Sequence, residues 1–213
     1  MKNKKTWLIT LCAVVLLLTV VVGTLAFLTD RDTIENTFTV GDVQIALDEA
    51  EIEDGVATGN RTAVGNTYHL IPGKSYVKDP TMTVLEGSEE AYVRMLVTIN
   101  KRTALDAIFE THELELTDIF TGFDQTWVLA DTDRTGADTI VYEFRYPTTV
   151  TATQADVELP ALFTGIAVPG EFTRDEMQSI ADLSITVTGE AIQAETFADA
   201  EEAWAAFDRQ MNQ

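Results

Sequence analysis

The sequence predicts an all-β fold, an antiparallel β-sandwich with short helical insertions and a C-terminal helix. Three observations carry this reading. Short runs of alternating apolar and polar residues recur, the clearest being residues 92–99, where Val93, Met95, Val97 and Ile99 share one face. Turn signals such as Asp54-Gly55, Pro72-Gly73 and Pro169-Gly170 punctuate these runs, in the manner of a sandwich whose strands turn about every 8–12 residues. Apolar residues at helical spacing stand out in two stretches, residues 103–120 and 199–211. No internal repeat is visible.

The chain opens with a leader. Lys2, Lys4 and Lys5 make its start basic, residues 7–22 are apolar except for Thr10 and Thr19, and Thr24 and Ala26 are small residues two apart. This is the layout of a signal peptide, residues 1–26, cut after Ala26 to leave Phe27 at the new N-terminus. The alternative is a retained anchor, because residues 7–28 are long enough to cross a hydrocarbon core of roughly 30 Å at ~1.5 Å per residue. Cys12 follows Leu11 inside the apolar run, so a lipoprotein junction is discounted.

Residues 27–213 are expected to form one domain. Residues 27–36 are polar and without period. In the strand expected over residues 37–47, Phe38 and Val40 face one way; after Gly41 the phase slips, and Val43, Ile45 and Leu47 take over. A glycine at such a slip suggests a bulge or bend. Residues 48–67 read as an acidic loop or hairpin tip. A short strand follows Pro80, residues 86–90 make a turn, and the strand at 92–99 turns Arg94 and Thr98 away from its apolar face. In the first helical stretch, Leu105, Ile108 and Phe109 follow Thr103 as N-cap, with Asp106 three residues on. Residues 126–129 and 139–146 read as a hairpin, with Ile140, Tyr142, Phe144 and Tyr146 on one face. Residues 147–153 and 159–166 are weaker strands, and 174–180 a short helical connection. In the strand over 183–193, Leu183, Ile185 and Val187 alternate with polar residues. In the tail, Asp199 caps a helix whose stripe of Ala200, Trp204, Phe207 and Met211 docks on the sandwich or, alternatively, on a partner.

Composition narrows the function. The leader holds three of the 14 basic residues and none of the 35 acidic ones, so the remaining 187 of 213 residues carry 11 against 35, a net of −24. Nucleic acid is thereby an unsuitable partner, since phosphate contacts need basic patches. Repulsion of this size keeps copies apart until acid or salt weakens it. The single cysteine lies in the leader, so no disulfide framework is available afterwards.

Motifs for catalysis are incomplete. His112-Glu113 begins like a zinc-protease helix, but position 116 is Leu116 and the other histidine, His69, is distant in sequence. Asp131, Asp133 and Asp138 lie in DTDRTGAD, which resembles the front half of a calcium loop; the twelfth position, where a bidentate Glu belongs, is Tyr142. The plainer reading is a polar hairpin turn. There is no phosphate-binding glycine loop and no nucleophile elbow. No cofactor and no catalytic residue are expected.

The segment GTLAFLTDRDTIENTFTVG resembles the signal-peptide junction of the TasA/camelysin family. The resemblance rests on Gly23, Thr24, Ala26, Phe27, Asp30, Asn36, Thr37, Phe38, Thr39 and Gly41, and extends to residues 78–99 and 185–207. It implies cleavage by a SipW-type signal peptidase and a jelly-roll sandwich secreted to the matrix or surface of a Gram-positive-type bacterium. The implied role is a fibre subunit of the biofilm matrix that polymerises with itself, with accessory matrix proteins as possible further partners. It also implies donor-strand addition, in which the arm over residues 27–40 pairs with the next subunit. Phe27, Ile34, Phe38 and Val40 are the expected arm residues, unless the stretch pairs within its own sheet; the two arrangements are compatible in monomer and fibre. The rival readings are a secreted metalloprotease and a membrane-anchored adhesin that never polymerises.

Exported protein is expected to begin at Phe27, and Ala26→Leu to leave the precursor uncut. N-terminal sequencing that finds Met1, or a start beyond Asp30, refutes this.

Overall fold

The computed structural model describes residues 29–32, for which only the backbone is considered, and residues 43–211. Its architecture is the antiparallel sandwich expected from the sequence. The larger sheet has the order β1 (Thr29–Asp32), β13 (Ile185–Gln193), β6 (Ser88–Asn100), β9 (Thr139–Arg145), β8 (Val128–Asp133), with β10 (Val150–Ala152) also paired to β6. The facing sheet runs β11 (Val157–Glu158), β5 (Thr81–Val84), β2 (Ile45–Glu53), β3 (Val56–Thr62). A small third sheet joins β4 (Ser75–Val77), β12 (Gly165–Ala167) and β7 (Phe120–Thr121).

The core follows from alternation. Val43, Ile45 and Leu47 meet Met82 and Val84 on one side, and Val93, Met95, Val97 and Ile99 on the other, all of them buried. Phe120, Phe123 and Phe163 close one end in edge-to-face and tilted contacts. Burial of such side chains is worth ~1.5–3 kcal/mol each, which makes this layer the main source of stability.

Several expectations need correction. Of the two readings of residues 48–67, a loop or a hairpin tip, the structure shows the hairpin, and it is longer than a tip. Asp54 (φ 51°) and Gly55 (φ 81°) join β2 to β3, and two successive positive φ values match the right-handed twist of the flanking strands. The turn expected at 86–90 is shorter, because β6 already begins at Ser88. Residues 159–166 do not form one strand: β11 ends before them and β12 begins at Gly165. The first helical stretch divides into α1 (Arg102–His112) and α2 (Leu116–Ile119). Thr103 is not the N-cap of α1. Lys101 holds that position in a left-handed conformation without a side-chain cap, and Asp138 Oδ1 accepts the Thr103 backbone N–H at 2.9 Å from another part of the chain. The short helix α3 (Arg174–Ser179) has the reciprocal capping box of Thr173 and Glu176.

The tail forms α4 (Ala200–Met211), with the Asp199 cap expected from the sequence: Asp199 Oδ1 accepts the Glu202 N–H at 2.9 Å. Ala203, Trp204, Ala206 and Phe207 are buried, whereas Met211 is exposed. The helix covers the outer face of the larger sheet against Ile192 and Tyr92. Arg94 does turn away from the apolar face of its strand, but the face it joins is covered. Cross-strand register sets Arg94 opposite Glu190 on β13 and Arg145 on β9, and α4 then roofs it over. Arg94 is 3% exposed and Glu190 1%. Arg94 Nη2 lies 2.7 Å from Glu190 Oε2, and its guanidinium also pairs with Asp208 on the helix. Its Cζ is 4.3 Å from the Trp204 ring centroid, a cation–π contact. Burial would lower the Arg94 pKa; the Asp208, Glu190 and Glu143 carboxylates outweigh it and raise it.

Removing one partner of such a pair leaves the other charge buried alone. Arg94→Met should therefore cost about 3–5 kcal/mol of stability, read as a lowered urea midpoint, and adding Glu190→Leu should recover part of it.

Candidate assembly edge

The feature that joins the N-terminal arm to the sandwich is the outer edge of β13. Its inner edge pairs with β6 over nine positions, from Ile185↔Ile99 to Gln193↔Ala91. Its outer edge pairs with β1 over only four: Thr29↔Ile192, Asp30↔Ala191, Arg31↔Glu190 and Asp32↔Gly189. Among the described residues no strand pairs with that edge between Ile185 and Thr188. Residues 29–32 thus pair within their own sheet. Residues 29–32 have no apolar alternation of their own, so the waiting ladder of β13 imposes the strand.

At Gly189 the facing sheet leaves no room for a side chain. A Cβ on it would meet Met82 Cε at 2.9 Å and Ile45 Cδ1 at 3.5 Å. The last residue of β1, Asp32, is therefore registered against a position that only glycine fits. Sequence reasoning identified β13 as a strand but not as the acceptor of the arm; a glycine inside a strong strand pattern was the available signal.

The larger sheet's other edge is β8, all six residues of which are exposed, Val128 and Leu129 included. Asp131 and Asp133 on that edge discourage pairing with another chain. Beside the unpaired half of β13 lies a cavity of about 710 Å³, lined by Leu183, Ile185 and Thr186 together with Phe109, Val168 and Phe172.

The cleavage residues Thr24, Ala26 and Phe27, and the arm residues Ile34, Phe38 and Val40, lie outside the described residues. Among the described residues no helix is long and apolar enough to cross a membrane.

The calcium candidates are employed separately. Asp131 sits on β8 opposite Glu143. Asp133 Oδ1 accepts the Thr135 N–H at 2.7 Å within its own turn. Asp138 caps α1. Those backbone bonds hold the Asp133 and Asp138 carboxyls below the usual range. The two histidines also stay apart in their contacts: His112 Nε2 is 2.9 Å from Glu176 Oε1 and its ring tilts against Phe172, whereas His69 accepts the Tyr76 hydroxyl through its backbone carbonyl. Among the described residues no three His, Cys, Asp or Glu side chains converge as metal ligands.

No protein-family model, curated protein or solved structure matches the chain.

The Asp138 cap is open to test by hydrogen exchange. Asp138→Ala should speed exchange of the Thr103 amide and fray the start of α1. A carboxyl whose folded pKa is depressed contributes stability above its ordinary value of 3.8 and loses it as pH falls through the folded value. The difference between wild type and variant should therefore be full at neutral pH and vanish in strong acid.

Proposed function

We propose that the chain is an extracellular structural subunit of the TasA/camelysin type, which builds biofilm-matrix fibres by exchanging its N-terminal strand. The observation that supports this most directly is the short ladder between β1 and β13. A strand of four residues, following a junction that reads as a signal-peptidase site, closes an edge and leaves its continuation unpaired among the described residues. In the fibre, the same register is filled by the arm of the neighbouring subunit. If that arm continues in register, its Ile34 comes opposite Val187 and its Asn36 opposite Ile185, beside the apolar cavity.

The energetics suit a conditional exchange. Each ladder hydrogen bond contributes about 0.5–1.5 kcal/mol. Fixing each arm residue costs about 1–2 kcal/mol. Because the ladder lost in the monomer is regained in the fibre, the balance rests on the additional residues that become ordered and on repulsion between copies carrying −24 each. A head-to-tail contact of this kind does not close on itself, so it grows a filament. Export through a SipW-type signal peptidase frees the arm, and self-association is its purpose; accessory matrix proteins are compatible with the same edge. The reading assigns the chain no catalytic role.

The sequence after the leader contains no cysteine, so exchange can be trapped. Protein carrying Asp30→Cys is mixed with protein carrying Ala191→Cys, positions directly opposite in the β1–β13 register. Under salt that yields filaments, oxidation should produce disulfide-linked pairs of the two variants. Filaments without that cross-link, or the same filaments from protein lacking residues 27–36, overturn strand exchange.

A further inference from the structure

We infer that Lys78 and Asn66 become joined by an amide bond between their side chains, formed without any enzyme and assisted by Glu49. The observation is a carboxylate shared by an amine and a carboxamide. Glu49, on β2, is 4% exposed, and Lys78, between β4 and β5, is 5% exposed. Glu49 Oε2 accepts from Lys78 Nζ at 2.5 Å. Glu49 Oε1 accepts from Asn66 Nδ2 at 2.8 Å and from the Asn66 backbone N–H at 3.2 Å. One buried carboxylate thus holds the nucleophile and the nitrogen that would leave.

The rest of the carboxamide is fixed as well. Asn66 Nδ2 also donates to the Ala50 carbonyl at 2.8 Å, and Asn66 Oδ1 accepts the Ile52 backbone N–H at 2.8 Å. That N–H is a donor aimed at the oxygen on which negative charge develops when an amine adds to the carbonyl, the arrangement that stabilises acyl-transfer intermediates. The carboxylate and the amine are both withdrawn from water. The Tyr68 hydroxyl is pushed up to about 12, by burial first and then by the Glu49 charge. Two charges in such a place gain little from each other beyond their desolvation cost, so a reaction that removes the ammonium charge is favoured.

The atoms balance without oxidant or reductant. Glu49 takes one proton from the Lys78 ammonium. The freed Nζ lone pair forms a bond to Asn66 Cγ, and the carbonyl electrons move to Oδ1, held by the Ile52 N–H. Glu49 returns its proton to Nδ2, the Cγ–Nδ2 bond breaks, and ammonia leaves through the adjoining cavity, which Asn66 and Lys78 line. The new amide nitrogen sheds its extra proton through Glu49 to the departing ammonia. The net change converts one ammonium and one carboxamide into a secondary amide and an ammonium ion. Positioning supplies the rate, because all the groups are held by one another before reaction.

The bond would tie the segment after β3 to the residue after β4, in a chain that has no cysteine beyond its leader. It does not depend on fibre formation.

The test is the mass of the purified chain beginning at Phe27. The folded wild type should weigh less than its sequence by one ammonia. Trypsin should no longer cut after Lys78, and a branched peptide should join the stretches containing Asn66 and Lys78. Glu49→Gln, Lys78→Arg and Asn66→Ala should each return the full sequence mass. A folded wild type at full sequence mass overturns the inference without recourse to any variant. So does ammonia loss confined to Asn66 as a succinimide, with an unbranched Lys78 peptide.

Discussion

A single buried cation organises the outer half of the larger sheet. Arg94 is locked between Glu190 on the neighbouring strand and Asp208 on α4, with the Trp204 ring against its guanidinium. The helix could have been held by Trp204 and Phe207 alone, through the gain from burying two aromatics. The ion pair adds placement: an arginine fork satisfies its partners only in a narrow range of orientations, so α4 can cross the sheet in few ways. The consequence reaches the arm, because Glu190 also stands opposite Arg31 in the β1 register. The helix, the central strands and the arm are thus connected through two adjacent strands.

The parts of the fold that were legible in the sequence are those governed by period. Val93 to Ile99, Ile140 to Tyr146 and the tail stripe of Trp204 and Phe207 each announced their buried face by spacing alone, and Asp199 with Glu202 announced the helix start. What stayed hidden depended on partners distant in sequence. Arg94 reads as a surface residue on an alternating strand, and nothing nearby says that a helix more than a hundred residues later will cover it. The cap of α1 is equally remote, since Asp138 reaches Thr103 across 35 residues. Glu49, Asn66 and Lys78 belong to the same class: each looks like solvated surface, and only the fold brings an acid, an amide and an amine onto one another. Residues 29–32 show the converse, where an edge confers strand structure on a segment without the pattern for it.

Edges decide how such a sandwich meets another copy. A closed barrel would have none, but an open sheet must guard its outer strands. Here the guards differ. β8 carries Asp131 and Asp133 towards solvent, a barrier of charge, whereas β13 is guarded by four residues of the chain itself. A guard made of chain can be displaced by an identical strand at almost no net loss of hydrogen bonds, while charge cannot. The asymmetry is what the proposed strand exchange requires, one donor and one acceptor per subunit.

Charge then sets the conditions, and acid and salt act differently. Protonating carboxylates reduces the net −24 of residues 27–213 and weakens repulsion between copies. The same protons attack the fold, since Asp124, Asp133, Asp138 and Glu176 hold depressed pKa values through bonds to backbone and side-chain partners. Their contributions stand above the ordinary carboxylate range and fail below it, so acid weakens turns and caps as it removes repulsion. Salt separates the two effects. It screens exposed charges beyond roughly 8–10 Å at ordinary ionic strength, yet reaches buried pairs such as Arg94–Glu190 far less. Salt should therefore drive association of intact sandwiches, whereas strong acid would bring together copies whose loops have begun to open.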